Sequence, residues 1–171
     1  MMKTGLNGFE GAFALLDGFV FLDAESRENA LWAALWVNEM PRSLYPHPRP
    51  PIVIVEGGTE SGKTTLIQRI AAAVGGPYPM LRSGGFPSEK DLNVVAAKGV
   101  PMLVIDHPVV NRKRCADLCM FVCDQRRVWR KSGTQELESC SVKCVTFIET
   151  CGGALSEDLE RRAIWIRLGR R

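Results

Sequence analysis

The 171-residue sequence contains no uninterrupted apolar run of about 18 residues, the least that a membrane-spanning helix needs. Its N-terminal apolar patch is interrupted by Asp17 and Asp23, which makes it a poor signal peptide. Histidine is scarce, with only two in the chain, and no internal repeat is visible. These absences argue against a transmembrane protein and a repeat protein, and we expect a cytoplasmic protein with no membrane partner.

Composition is that of an ordinary globular protein, with 46% hydrophobic and 24% charged residues. The net charge of +3 is unevenly spread, because residues 111–171 carry thirteen Lys or Arg against eight Asp or Glu. This C-terminal third is a candidate surface for a polyanion, and an ordinary solvated surface is an equal alternative.

The six cysteines are interpreted as thiols, since no export signal accompanies them. Cys115, Cys119 and Cys123 follow one another with gaps of three residues, as do Cys140 and Cys144, whereas metal sites favour gaps of two. We therefore expect buried thiols on core faces at Cys115, Cys119, Cys123, Cys140 and Cys144.

The most informative stretch is residues 52–65, where a β-branched apolar run enters a loop that fits G-x-x-x-x-G-K-[ST] and a helical pattern follows. This order predicts a phosphate-binding loop, because glycines let several backbone N–H groups point at one anion that the helix N-terminus also faces. We expect Lys63 to reach the β- and γ-phosphates of ATP and Thr64 to offer a hydroxyl to Mg²⁺. The predicted nucleotide-binding residues are Gly57, Gly58, Thr59, Glu60, Ser61, Gly62, Lys63, Thr64 and Thr65.

A second apolar strand, over 100–106, ends in Asp106. If this strand is a parallel neighbour of the phosphate-loop strand, its terminal carboxylate reaches the Mg²⁺, as a Walker B aspartate does. A turn or capping aspartate is the alternative. His107 follows instead of a glutamate, so the water-activating base is absent from its usual place. Its candidate substitutes, none well supported, are Glu56, Glu60 and Glu89.

The chain is predicted to be α/β, with residues 1–50 as a helical extension and residues 51–171 as the core. The extension holds a helix over 24–40, capped by Asp23, and a proline-rich connector over 41–51. The further predicted elements are an irregular crossover over 75–88, a helix from Ser88 to Gly99, a helical segment over 111–130, strands over 142–148 and 164–168, and a helix start at Ser156.

Two basic clusters have open interpretations. Arg161 and Arg162 could reach the γ-phosphate of a neighbouring subunit as arginine fingers, or pair with acids on their own helix. The stretch Trp129-Arg130-Lys131, followed by Gly133, suits contact with single-stranded nucleic acid and equally suits an ordinary helix end.

The order of these motifs resembles the AAA+-type P-loop ATPase or helicase domain of primase–helicase replication proteins from phages and integrated elements. The resemblance covers most of the chain, and its most specific part is a Leu-Ser-x-Asp-Leu-x-Arg-Arg segment at 155–162 that runs into an alternating strand. The other matching segments are 19–21, 26–31, Glu89-Lys90, Val104-Ile105-Asp106 and 130–133.

The resemblance implies a P-loop NTPase fold with a mainly parallel sheet flanked by helices. It implies ATP and Mg²⁺ as cofactors, ATP hydrolysis, and a role in the DNA replication of a phage or mobile element. The implied partners are further copies in a ring, or another ATPase, and DNA, preferably single-stranded. Arg161 and Arg162 become finger candidates between subunits, beside Lys63 and Asp106 in the catalytic set.

Departures from the family pattern favour nucleotide binding over hydrolysis. The family's sensor strand usually ends in Asn, which residues 149–152 lack, and His107 stands where an Asn is usual. The related domains also continue beyond the position of Arg171, which leaves a truncated relative open. The alternatives are a small-molecule kinase and a degenerate, non-catalytic nucleotide-binding subunit.

Overall fold

A computed structural model describes residues 8–39, 51–74, 80–124, 126–131, 133–152 and 155–170. The helices in this part of the chain are α1 (Gly8–Leu15), α2 (Ala24–Glu39), α3 (Lys63–Val74), α4 (Glu89–Lys98), α5 (Arg112–Cys123) and α6 (Glu157–Glu160). The strands are β1 (Ile52–Gly57), β2 (Leu81–Ser83), β3 (Met102–Asp106), β4 (Arg126–Arg130), β5 (Leu137–Ser141), β6 (Val145–Thr150) and β7 (Ala163–Leu168). The predicted connector lies outside the described residues except for its last residue, as do residues 75–79 of the predicted crossover.

Five strands form one parallel sheet in the order β2-β3-β6-β1-β7. The chain is therefore α/β, with helices flanking a parallel sheet. The strand of Asp106 is parallel to the loop strand but does not adjoin it, because β6 lies between them and pairs with both. The carboxyl ends of β1, β6 and β3 consequently meet at one edge, and β6 brings a further acid, Glu149, to it.

Helices cover both faces of the sheet, and the interior strand β1 is buried between them. Val53 and Val55 belong to a core cluster with residues of α2 and α3, whereas Ile52 and Ile54 belong to a second cluster with residues of α4 and α5. A strand that is buried on both faces has a continuous run of β-branched residues. This run is why the sequence marked β1 so clearly.

The helices before β1 pack on the face that α3 also covers. The predicted cap of α2 is confirmed, because the backbone N–H of Ser26 donates to Asp23 Oδ1 at 2.6 Å. Phe21 forms an antiparallel bridge with Leu168 at the end of β7, which ties this segment to the edge of the sheet. The short helix α1 was not predicted, since its glycines are poor helix formers.

The predicted helix between Ser88 and Gly99 is confirmed as α4. Ser88 is its N-cap, with a capping box completed by Asp91, and Gly99 adopts the left-handed conformation after its last turn, with φ of 60°. Both ends were readable because these residue types satisfy the unpaired backbone groups of a helix terminus.

The prediction of one helical segment over 111–130 was wrong. Helix α5 ends at Cys123, and an antiparallel hairpin of β4 and β5 follows. The helical spacing of apolar residues and cysteines ends at Cys123, where α5 also ends, and the later residues are fixed by cross-strand pairing that local sequence does not encode. The irregular crossover also contains the short edge strand β2, which pairs with β3.

Candidate functional site

The glycine-rich loop joins the carboxyl end of β1 to the first turn of α3, which begins at Lys63. The ammonium of Lys63 folds back over the loop and donates to the carbonyl oxygens of Gly57 at 2.6 Å and Gly58 at 2.9 Å. Lys63 is only 7% exposed, so its charge is held in place beside the loop. The positive end of the twelve-residue helix α3 faces the same region.

Two glycines of the loop are required by its shape. A Cβ added to Gly57 would lie 2.4 Å from Ser61 Oγ and 2.8 Å from the carbonyl oxygen of Leu168. Gly62 has φ of 92°, a conformation that side chains other than glycine rarely adopt. Ser61 Oγ is buried and has no hydrogen-bond partner in the described part of the chain.

The remaining loop residues present their side chains outward. Gly58, Thr59, Glu60, Thr64 and Thr65 are exposed, which leaves the hydroxyl of Thr64 accessible at the start of α3. Glu60 has φ of 65°, so the loop carries a second left-handed residue besides Gly62. This tight curl turns the backbone between the strand and the helix, as a phosphate-binding loop requires.

Beside the loop, three strands supply a compact charged cluster. Asp106 of β3 lies opposite Glu149 of β6, and Arg82 of β2 donates to both, at 3.0 Å to Asp106 Oδ2 and 2.9 Å to Glu149 Oε2. The Glu149 side chain is completely buried, whereas that of Asp106 is 35% exposed. A hydrogen bond from His107 is the main cause that lowers the pKa of Asp106 below 3.8, with smaller contributions from Glu149 and Arg82.

A chain of polar contacts links this acid cluster to the phosphate loop. His107 contacts Asp106 through Nδ1, and its Nε2 lies 3.0 Å from the sulfur of Cys151. The same sulfur lies 3.5 Å from Nζ of Lys63. Cys151 follows directly after β6 and is exposed. Lys63, Cys151, His107 and Asp106 therefore form a continuous row of contacts along the carboxyl ends of the strands.

The described residues contain one group of three side chains that could share a metal ion. Ligand atoms of Asp106, His107 and Glu149 lie within 4.8 Å of one another. The guanidinium of Arg82 already neutralises two of these groups, so the trio is not an open cation site. Asp106 is the acid that keeps accessible surface.

The two arginines predicted as finger residues lie near the amino ends of the strands, at the end of the sheet opposite the loop. Both precede β7, whose first residue, Ala163, pairs with the start of β1, while its last pairs with the end of β1. Six strand residues span about 20 Å, so neither arginine can reach the loop of its own subunit. Within the subunit Arg161 and Arg162 donate to Asp158 Oδ1 at 2.9 and 3.3 Å, and Arg162 also contacts Cys123.

The three glutamates considered as substitute bases have other surroundings. Glu56 forms an ion pair with Arg167 at 3.4 Å, and Glu89 forms one with Arg127 at 3.6 Å. Glu60 lies exposed in the loop. None of them lies in the acid cluster, whereas Glu149 does.

Sequence reasoning missed Arg82, Glu149 and Cys151 as members of the site. Glu149 and Cys151 were noted only because they replace an expected Asn. A third parallel strand that ends in polar residues was the available signal, since the carboxyl ends of parallel strands share one edge. Arg82 had no such signal, because it lies on a three-residue edge strand in a glycine- and proline-rich stretch.

The hairpin of β4 and β5 carries exposed basic and apolar side chains outside the main sheet. Arg126, Arg130 and Lys131 are exposed, and Val128 and Leu137 are 60% and 70% exposed. One arginine instead anchors the hairpin, because Arg127 donates to Asn93 of α4 at 2.9 Å and stacks on Phe121 of α5.

The thiols are free, and the exposed one is Cys151. Cys115, Cys119 and Cys144 are buried as expected, whereas Cys123 and Cys140 are only partly buried. Burial raises the pKa values of Cys119 and Cys144 to about 12.

No protein-family model matches the chain, and comparison with curated proteins finds no significant match. Within the described ranges, no helix has the length and apolar character needed to cross a membrane.

Proposed function

We propose that the chain is a P-loop ATPase module of the AAA+ or helicase type that acts on DNA during replication of a phage or mobile element. The observation that carries the proposal is the loop itself. It leaves the carboxyl end of an interior parallel strand, curls tightly around Gly57, and holds Lys63 at the N-terminus of a helix. This combination of backbone N–H groups, helix dipole and lysine is what nucleotide phosphates require.

ATP and Mg²⁺ fit the residues of this edge. Lys63 would exchange its carbonyl contacts for phosphate oxygens, which accept stronger, charge-assisted hydrogen bonds. The exposed hydroxyl of Thr64 and the accessible carboxylate of Asp106 are the oxygen ligands that would hold Mg²⁺. Bound there, the metal supplies charge neutralisation for the β- and γ-phosphates.

Hydrolysis of ATP needs a base that accepts a proton from the attacking water. It also needs a cation that stabilises the negative charge that develops on the γ-phosphate. Glu149 is the acid nearest to Asp106 and takes the place of the second acid that is absent after it. Arg161 or Arg162 of a neighbouring subunit would supply the cation, because neither reaches the loop of its own subunit. Catalysis would then depend on assembly into a ring or on another ATPase that offers its loop.

Contact with single-stranded DNA is the finer part of the proposal, and the β4–β5 hairpin supports it. Its exposed Arg126, Arg130 and Lys131 can bind phosphates, and Val128 provides apolar surface on the same face as Arg126 and Arg130. Trp129 lies on the opposite face of the strand and is half-buried. The indole of Trp129 donates to Glu138 at 3.0 Å, which fixes the ring on the hairpin.

A second candidate is a nucleotide-binding subunit that does not hydrolyse ATP. It is favoured by Arg82, whose guanidinium occupies both Asp106 and Glu149. In this case the subunit would bind nucleotide and offer Arg161 or Arg162 to a partner that has a working site.

The test is an ATPase assay with and without single-stranded DNA across a range of protein concentrations, with Lys63→Ala as the background control. Turnover that rises with DNA and with protein concentration supports the ATPase. Tight nucleotide binding without turnover supports the non-catalytic subunit. Transfer of phosphate to a small acceptor with no response to DNA would instead support a kinase, and no nucleotide binding would overturn the proposal.

A further inference from the structure

Cys151 differs from the other described cysteines in its exposure and in the groups that hold its sulfur. Two cationic or proton-donating groups from different elements approach it, His107 Nε2 at 3.0 Å and Lys63 Nζ at 3.5 Å. His107 is in turn oriented by Asp106 on its other ring nitrogen. A thiol, a base and an acid that orients the base form the arrangement that activates a sulfur nucleophile.

The groups that contact Cys151 lower the pKa of its thiol. The hydrogen bond from His107 is the main cause that lowers the pKa of Cys151 below its ordinary range, and the charge of Lys63 acts in the same direction. Burial has the opposite effect elsewhere, raising the pKa of Cys140 and bringing that of Cys144 to about 12. Thiolate character and access decide which cysteine of a protein reacts first.

We propose that Cys151 is a reactive thiol that forms mixed disulfides with low-molecular-weight disulfides, and that this modification blocks the phosphate loop. The Cys151 sulfur attacks one sulfur of the small disulfide, a new S–S bond forms, and the other half leaves as a thiolate that takes up a proton. The small disulfide is the only oxidant, and it is reduced to one free thiol.

Blocking follows from the position of the sulfur relative to the loop lysine. A group added to Cys151 starts 3.5 Å from Nζ of Lys63, on the side that faces the acid cluster. It replaces the free sulfur that Lys63 contacts with a bulkier group and fills the space beside the loop. A nucleotide phosphate that draws Lys63 away removes one of the charges that lower the pKa of Cys151, and we expect this to slow the reaction of its thiol. This second half of the inference depends on the proposed nucleotide binding, whereas the reactivity itself does not.

The first experiment measures reactivity without nucleotide. The reduced full-length protein is treated with hydroxyethyl disulfide, a neutral probe, and each cysteine is followed by peptide mass spectrometry. Cys151 should react about tenfold faster than the half-buried Cys140, and His107→Gln should slow Cys151 alone, because it removes the imidazole partner. Equal rates for Cys151 and Cys140 would overturn the assignment.

The second experiment tests the coupling to the loop. ATP at ten times its dissociation constant should slow the labelling of Cys151 by about tenfold, since about 90% of the loops are then occupied. After treatment with hydroxyethyl disulfide, wild type and Cys140→Ser should no longer bind a fluorescent ATP analogue. Cys151→Ser, treated in the same way, should still bind it.

The outcomes separate this inference from the proposed function. If unmodified protein binds the analogue but labelling neither weakens binding nor is slowed by ATP, the coupling is wrong and the ATPase proposal stands. If unmodified protein does not bind nucleotide at all, the ATPase proposal and the blocking both fail. The labelling rates from the first experiment still decide whether Cys151 is a reactive thiol.

Discussion

Asp106 and Glu149 lie directly opposite each other in the ladder between β3 and β6, and one guanidinium, that of Arg82, donates to both. Under the proposed function, these two acids at the carboxyl ends of adjacent strands would serve as the acid pair of the site. The position after Asp106 is thereby free for His107, which contacts Cys151.

Glu149→Gln should reduce ATP turnover by about 10²-fold or more while nucleotide affinity changes little. The amide keeps the shape of the buried side chain but cannot accept a proton from water, and a positioned general base contributes at least that factor. Steady-state ATPase rates and binding of a fluorescent ATP analogue measure the two effects. Glu25→Gln, an exposed change in the first turn of α2, is the matched control.

A thermal melt of Glu149→Gln is needed beside the kinetics, because the side chain is fully buried. Arg82 still pairs with Asp106 in this variant, so the melting temperature should fall only slightly. Wild-type turnover in a folded Glu149→Gln protein would show that Glu149 is not the base.

Lys63→Ala should weaken ATP binding by about 10²-fold, since a charge-assisted hydrogen bond to phosphate is worth up to about 3 kcal/mol. Titration with a fluorescent ATP analogue measures the change. Gln68→Ala, on the exposed side of the same helix α3, should bind as wild type does. Unchanged affinity in Lys63→Ala would sink the phosphate-loop assignment.

The sequence predicted those elements whose cause is local. The run from Ile52 to Val55 is buried on both faces of the sheet. Ser88 begins a helix and Gly99 ends it, and both cap roles follow from the local chemistry of these residue types. The strand order was not predictable, because it depends on which strands pair over long sequence separations. The adjacency of Asp106 and Glu149 follows from that order, so the acid pair and its contact with Arg82 stayed hidden.

Ser88→Ala should lower the free energy of unfolding by about 1 kcal/mol at pH 7, the usual effect of losing an N-cap. Ser88 donates to the Asp91 carboxylate through Oγ at 2.6 Å and through its backbone N–H at 2.8 Å, and these bonds lower the pKa of Asp91 below 3.8. A carboxyl group whose pKa is lower in the folded than in the unfolded protein stabilises the fold at pH values above its unfolded-state pKa. This stabilisation is lost as the pH falls through the folded-state pKa.

The difference between wild type and Ser88→Ala should therefore shrink as pH falls below 3.8. Urea unfolding between pH 3 and pH 7 measures it, with the exposed Lys90→Ala in the same helix as a control that should stay within about 0.5 kcal/mol of wild type. A difference that is equal at both ends of this range would mean that the cap acts independently of the Asp91 charge.

Arg162→Ala and Lys63→Ala should each be nearly inactive alone and should complement each other when mixed. The first protein keeps its own loop and the second keeps its finger, so a mixed assembly contains interfaces in which a working loop meets a working arginine. An arginine finger contributes at least about 10³-fold to turnover, which makes recovery easy to detect. The ion pair of Arg162 with Asp158 is exposed on both sides, and exposed pairs are weak, so it is no obstacle to a contact with a neighbouring subunit.

ATPase rates of equimolar mixtures, measured at several total concentrations, decide the point. The double variant Lys63→Ala/Arg162→Ala, mixed with Arg162→Ala, must not restore activity, because neither partner then has a finger. Repeating the series with Arg161→Ala identifies which arginine acts, since both contact Asp158 and are equivalent by position. If wild-type turnover per subunit does not depend on concentration and the mixture of Arg162→Ala with Lys63→Ala restores no activity, the loop must be completed within one chain. The distance of about 20 Å along β7 would then require a cation other than Arg161 or Arg162.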